Sequence, residues 1–267
     1  MKGGAEVDQI KRVKYNNCPL MEVVYQLNFP TILAIEADIP AEFQMKIRKE
    51  FPQYQLQMEQ GGELTVNITG AEINPLYRQR SGRKLHHFIS EDGKWKITLA
   101  KNQLSISTLD YKQWENLKER FEGPLVAFTS IYKQDYFERI GLRYVDAISK
   151  TKLHIENTEW SELLQPHLLG CLGFTGEDIN VGASSVQSEM TMGDVTVKVS
   201  SGLAQVNTSD GTVDNAFVLD CDYFCVGKTE MADIDSVAEK LHQKSTTFFR
   251  QSITSKLHEA MKPQEIE

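Results

Sequence analysis

Long apolar runs are absent from this sequence of 267 residues. The longest uncharged stretch, residues 163–176, holds Gln165, Pro166 and three glycines, and it is shorter than the roughly 20 apolar residues that a membrane-spanning helix needs. The first twenty residues carry charges throughout and lack the apolar core of a signal peptide, so no membrane association is expected. Cysteine is scarce. Cys18, Cys171, Cys221 and Cys225 form no C-x-x-C pair and are spread too widely for a metal site. Cys221 and Cys225 fall four apart in an expected strand, about 13 Å from each other on one face, too far for a disulfide. Reduced, buried thiols and a cytoplasmic location follow as expectations. Positive charge is outweighed: 29 Lys and Arg against 37 Asp and Glu give a net charge of −8 and a pI near 5.4, which argues against a basic nucleic-acid coat protein.

Reactive signatures are missing as well. The histidines, His86, His87, His154, His167, His242 and His258, include no H-E-x-x-H and no H-x-H beside an acid. There is no P-loop, no G-x-G-x-x-G and no G-x-S-x-G. The glycines at 170–182 lack the strand-to-helix setting of a phosphate cradle, and Glu91-Asp92 suits a turn better than acid–base work. The sequence nominates no catalytic residue, no metal site and no cofactor, and it leans away from an enzyme.

What is present is ordinary globular composition, 40% hydrophobic and 25% charged. Val23, Tyr25, Leu27 and Phe29 alternate onto one face of a half-buried strand. Pro40 opens a short helix with Phe43, Ile47 and Phe51 on one side, and Pro52 stops it. Strands are expected at 54–59, 64–68, 85–90, 94–99 and 104–108, with Glu91-Asp92-Gly93 as a hairpin turn. Asp110 and Gln113 start a helix that buries Trp114, Leu117 and Phe121 and that Gly123-Pro124 should kink or break. In the second half a strand at 139–149 turns Ile140, Leu142, Tyr144 and Ile148 to one side. A short helix is expected at 158–169, and strands at 186–192, 195–200, 203–207 and 216–226. The longest helix closes the chain over 236–261, with Ser236 and Glu239 as a capping box.

Both halves read strand, short helix, antiparallel strands, long helix, offset by about 118 residues, a topological repeat without residue identity. The expected fold is α+β: two similar modules, 1–134 and 135–267, with helices on one face of a curved antiparallel sheet. No Pro/Gly/Ser-rich linker separates them, which favours fusion into one compact unit. Their charges differ. Residues 1–133 hold 18 basic and 16 acidic side chains, and residues 134–267 hold 11 and 21.

Several segments resemble an uncharacterised, sporadically distributed bacterial family of this length. They are Asn17-Cys18-Pro19-Leu20-Met21-Glu22-Val23-Val24, Ser107-Thr108 with Tyr111 and Trp114, Arg139-Ile140-Gly141-Leu142-Arg143-Tyr144, and Leu241-His242 followed by Phe248 and Ile253. Where the family's central strand is expected to carry Asn, this chain has Asp146. The resemblance implies a bacterial cytoplasmic protein with no known activity, and its patchy distribution suggests a toxin–antitoxin or defence-type setting.

Two candidate sites stand out. Residues 77–88 carry Arg78, Arg80, Arg83 and Lys84 with His86 and His87, and no acid lies between Ile73 and Ser90. Arginine forks there suit phosphate, and Tyr77 or Phe88 suits base stacking; the alternative is a solvated basic loop entering a strand. Arg139 and Arg143 alternate away from their strand's apolar side, as Asp220 and Asp222 do on theirs, giving either a polar ligand-binding floor or cross-strand ion pairs. The leading functional expectation is a non-enzymatic binding protein for a protein partner. Nucleotide or nucleic-acid binding through 77–88 is the alternative, an enzyme with an unrecognised site the third reading, and a homo-oligomer is compatible with all of them.

Overall fold

The computed structural model describes residues 13–59, 62–69, 72–79, 83–174, 181–207 and 213–265, with backbone alone for 62–69, 72–79, 206, 207 and 213. From the amino end run β1 (Val13–Tyr15), β2 (Leu20–Asn28), α1 (Leu33–Ala37), α2 (Ala41–Ile47) and β3 (Gln53–Glu59). Next come β4 (Gly62–Thr69), β5 (Glu72–Gln79), β6 (Arg83–Ile89), β7 (Trp95–Ala100), β8 (Gln103–Thr108) and α3 (Trp114–Tyr132). β9 (Tyr136–Ser149) leads into three one-turn helices, α4 (Lys150–Leu153), α5 (Trp160–Leu163) and α6 (Pro166–Leu169). The chain then forms β10 (Ser185–Met192), β11 (Val195–Asn207), β12 (Val213–Glu230), α7 (Ile234–Ser252), α8 (Ser255–Ala260) and β13 (Pro263–Glu265). Helices accompany large antiparallel ladders, so the architecture is α+β as the alternating patterns predict. No described helix is long and apolar enough to cross a membrane.

The chain divides into two compact units. One comprises Met1–Val23, Gly141–Cys225 and Asp235–Glu267, the other Val24–Ile140 and Val226–Ile234. Each unit therefore draws on both halves of the sequence. The topological repeat is not confirmed: the separate β4–β5 ladder of the first half has no counterpart among the described elements of the second.

In the unit holding residues 24–140, strands β2, β8, β7, β6 and β3 lie in that order. The β6–β7 hairpin turns where Asp-Gly chemistry places it. Gly93 takes φ +70°, and the Asp92 carboxylate accepts from the Ser90 hydroxyl at 2.6 Å and from the Lys94 amide at 3.1 Å. Helix α3 packs Trp114 and Phe121 against Tyr25, with ring centroids 5.7 and 5.1 Å away. The break expected at Gly123-Pro124 does not occur: α3 continues to Tyr132. Proline removes one helical hydrogen bond, but Phe121, Pro124, Ala127 and Phe128 are buried together, and their burial holds the helix through the defect. Its expected cap is also different. Asp110 pairs with Lys94 and Lys112, and Gln113 precedes the first turn without a side-chain cap.

In the other unit β10, β11, β12 and β9 lie in order. The two strands expected at 195–200 and 203–207 are one strand, β11, with Gly202 inside it. A Cβ at Gly202 would stand 2.1 Å from the Ser184 carbonyl oxygen, so only glycine lets the two backbones approach there. The helix expected at 158–169 is split into α5 and α6, because Pro166 keeps the residue before it out of helical geometry.

The single closing helix expected over 236–261 is likewise two helices. The Ser252 carbonyl accepts from the Gln165 amide at 2.9 Å, and the Thr254 amide donates to the Leu163 carbonyl at 3.0 Å. Those bonds take the backbone away from the helix at two β-branched residues, Ile253 and Thr254. Thr254 Oγ1 then caps α8 by accepting from the Leu257 amide and donates to the Glu162 carbonyl at 2.7 Å. Thr254→Ala should cost about 1 kcal/mol through the lost cap, measured as a lower urea midpoint with an unchanged slope.

Candidate functional site

β3 is the edge of its ladder. Its register with β6 pairs Tyr54 with Phe88, Leu56 with His86, Met58 with Lys84 and Glu59 with Arg83. Directly paired residues share a face, so Tyr54, Leu56, Met58, Lys84, His86 and Phe88 form one surface. Its inner part is closed. Phe88 is fully buried against Phe43 at 5.3 Å between centroids. His86 Nε2 donates to the Ile35 carbonyl at 3.3 Å, and Lys84 donates to the Glu36 carbonyl at 2.6 Å, which together tie α1 onto β6. The Tyr54 hydroxyl lies 3.0 Å from His86 Nδ1 and donates to it, given the proton on Nε2. Burial pushes the His86 pKa down, with Lys84 adding to the effect against the Ile35 bond, so the ring is neutral. The outer part is open: Leu56 and Met58 are 49% and 51% exposed.

The basic segment 77–88 is thus strand rather than loop where it is described, β5 up to Gln79 and β6 from Arg83. Arg83 donates to Gln103 Oε1 at 2.6 Å and lies 3.7 Å from the Glu59 carboxylate. Arg83, Lys84 and His86 are each held by internal partners, and His86 is buried. The Arg78 side chain and all of Arg80 lie outside the described residues. His87 faces the other side of β6, between Thr98 Oγ1 at 2.9 Å and Gln57 Oε1 at 3.0 Å.

The second predicted cluster resolves into an ion pair. Arg143 donates to both Asp220 oxygens, at 2.7 and 2.5 Å. That bond raises the Arg143 pKa further. Asp222 stands opposite Lys198 in the β11–β12 register, and Arg139 belongs to the other unit. The pair is partly exposed, so its contribution is about 0.2–1 kcal/mol. All four cysteines are free thiols, but the expected burial holds for Cys221 alone: Cys225 is half-buried, and Cys18 and Cys171 are exposed. Among the described residues no group of three or more His, Cys, Asp or Glu side chains is placed to hold a metal ion.

Two polar features escaped the sequence reading. Asp146 is 7% exposed, and among the described residues no hydrogen bond or ion pair reaches its carboxyl. Desolvation raises its pKa to about 7; the ionisations of Cys18, Cys221, Tyr15 and Tyr223 are pushed up chiefly by their own desolvation, with the Asp146 charge adding a smaller share. The signal was legible. Asp146 falls on the same parity of β9 as Leu142, Tyr144 and Ile148, the side turned to the core. The other feature joins Tyr15, Arg250 and His258, 235 and 243 positions apart along the chain, and no local pattern marks it. No family model and no curated protein matches the chain.

Proposed function

We propose that this chain is a non-enzymatic, cytoplasmic binding protein that holds an extended segment of a protein partner along the open edge of β3. One observation carries the reading. β3 is seven residues long, pairs among the described strands with β6 alone, and leaves Leu56 and Met58 exposed on the face it shares with β6. Edge strands are ordinarily guarded by lysine, proline or a bulge. β3 reads QYQLQME, with no proline, no lysine and Glu59 as its one charge. Unpaired amides and carbonyls along such an edge accept a further strand, and alternate side chains of the guest cover the apolar pair.

The guest is apolar at alternate positions, to cover Leu56 and Met58, and its intervening acidic residues answer the sequence of residues 77–88, which carries four cations and no acid. A seven-residue ladder buries less than the roughly 1,600 Å² of a standard interface, so the fit is to a peptide-like segment and not to a second globular copy. The resemblance to a sporadically distributed bacterial family supports a toxin–antitoxin or defence-type setting.

The test uses a fluorescent peptide of alternating valine and glutamate, with a fluorescent oligothymidylate as the contrasting probe. The peptide should bind, and L56T/M58T should weaken it on the order of tenfold through lost apolar contact while the melting temperature stays put. Absence of peptide binding overturns the reading. So does salt-sensitive oligothymidylate binding that the double variant leaves unchanged, which would assign the face to nucleic acid. Dimerisation of the wild type that L56T/M58T abolishes would replace the partner with a second copy.

A further inference from the structure

Arg250, in the last turn of α7, is a half-buried cation with no carboxylate partner among the described residues. Its Nη1 donates to the Tyr15 hydroxyl at 2.7 Å and lies against the His258 ring. The hydroxyl in turn lies 2.8 Å from His258 Nδ1, and the two rings meet edge to face at 5.5 Å and 88°. Phe249 packs on the other side of Tyr15 at 6.1 Å. No acidic side chain among the described residues lies within ion-pairing distance of the guanidinium, and its Nε is buried with no partner.

This arrangement is held by the two ends of the chain. β1 pairs with β13 through Lys14–Gln264. The amides of Asn16 and Asn17 donate to the carbonyls of Lys262 and Met261 at 3.1 and 3.0 Å, and the Asn17 side chain donates to the Ala260 carbonyl at 3.3 Å. Tyr15 and His258 are therefore held together at Arg250 Nη1.

Arginine uses the Nε–Nη2 side of its fork to take a carboxylate or phosphate through two parallel bonds, and on that side Nε is a covered donor with no hydrogen-bond partner. We infer that Arg250, Tyr15 and His258 form a binding site for a small oxyanion, a carboxylate or phosphate group, which satisfies the unpaired side of the Arg250 fork once the atoms covering Nε give way. The site lies on α7, α8 and β1 and is independent of the β3 edge. The bland alternative is a cation that only complements the carboxyl end of α7. It leaves the buried Nε unexplained, along with the hydroxyl clamp on Nη1.

His258 reports occupancy. Burial and the adjacent Arg250 charge push its pKa down, against a smaller upward pull from Glu259. The charges that act on the ring are thus Arg250 on α7 and Glu259 on α8, with the neutral Tyr15 hydroxyl from β1. An anion on Arg250 neutralises the nearest positive charge, so the His258 pKa should rise when the site fills.

The experiment is an NMR titration of the full chain with inorganic phosphate and, separately, with acetate. At least one anion should saturate the His258 ring signals in the millimolar range and raise its pKa. Phosphate alone would identify a phosphate site, acetate alone a carboxylate site, and both the shared chemistry. R250M should abolish the saturable shift. Y15F, which removes only the clamping hydroxyl, should weaken binding on the order of tenfold and serves if R250M does not fold. No saturable response to either anion overturns the inference, as does binding that R250M retains in a folded chain.

Discussion

Asp146→Asn should raise the unfolding free energy by about 4 kcal/mol at pH 8 and leave it nearly unchanged near pH 4. The wild-type carboxyl is buried, with no hydrogen-bond or ion-pair partner among the described residues, and desolvation lifts its folded pKa to about 7 against the ordinary 3.8. A raised carboxyl pKa means that the folded state holds a proton the unfolded chain releases. Its contribution is intact below pH 4 and is lost as pH climbs through 7, because the charge then has to be buried. The gap of about three pKa units corresponds to about 4 kcal/mol. Asparagine keeps the shape and carries no charge, so the fall between pH 4 and 8 should shrink by that amount. Urea titrations of both proteins at the two pH values measure it. Parallel pH profiles would show that Asp146 finds a compensating partner in solution.

Phe128→Ala should cost about 3–5 kcal/mol, the range for emptying a fully buried aromatic position. Phe128 has no exposed surface. Its ring packs on Phe29 at 4.7 Å, Tyr132 at 5.3 Å and Phe137 at 6.5 Å, so three neighbours lose their contact together. Leu33→Ala is the control. Leu33 is 75% exposed, and its loss should change stability by less than about 0.5 kcal/mol. Urea midpoints followed by tryptophan fluorescence separate the two. Equal effects would mean that the packing of α3 on Phe29 and Phe137 is not what the fold depends on.

Much of the ladder was legible because strand patterning is local. Val23, Tyr25, Leu27 and Phe29 alternate in the sequence and are buried in the structure, and Asp92-Gly93 turns the chain where its side chains bond the backbone. The same parity rule, applied without exception along β9, would also have exposed Asp146 as a core carboxyl. The β3 edge was legible only in composition. QYQLQME reads as a strand, but nothing in those seven residues says whether one or two neighbours pair with it.

The rest depended on partners far along the chain. Pro124 looks like a helix stop until the burial around Phe121 and Phe128 outweighs one missing hydrogen bond. Ile253 and Thr254 look like mid-helix residues until the backbone at 163–165 takes their hydrogen bonds. Arg83, Lys84 and His86 stand together in the sequence, but only the structure brings Glu59, Gln103 and the α1 carbonyls to them. The sequence by itself determined the α+β class, most strand positions and the inward faces, since these follow from periodicity and turn chemistry within a few residues. The tertiary structure alone decided where helices end, which charges are already paired and that Tyr15 meets Arg250 and His258. Each of those sets a local preference of about 1 kcal/mol against contacts that no short window of sequence displays, from Arg83 with Gln103 at 20 positions to Tyr15 with Arg250 at 235.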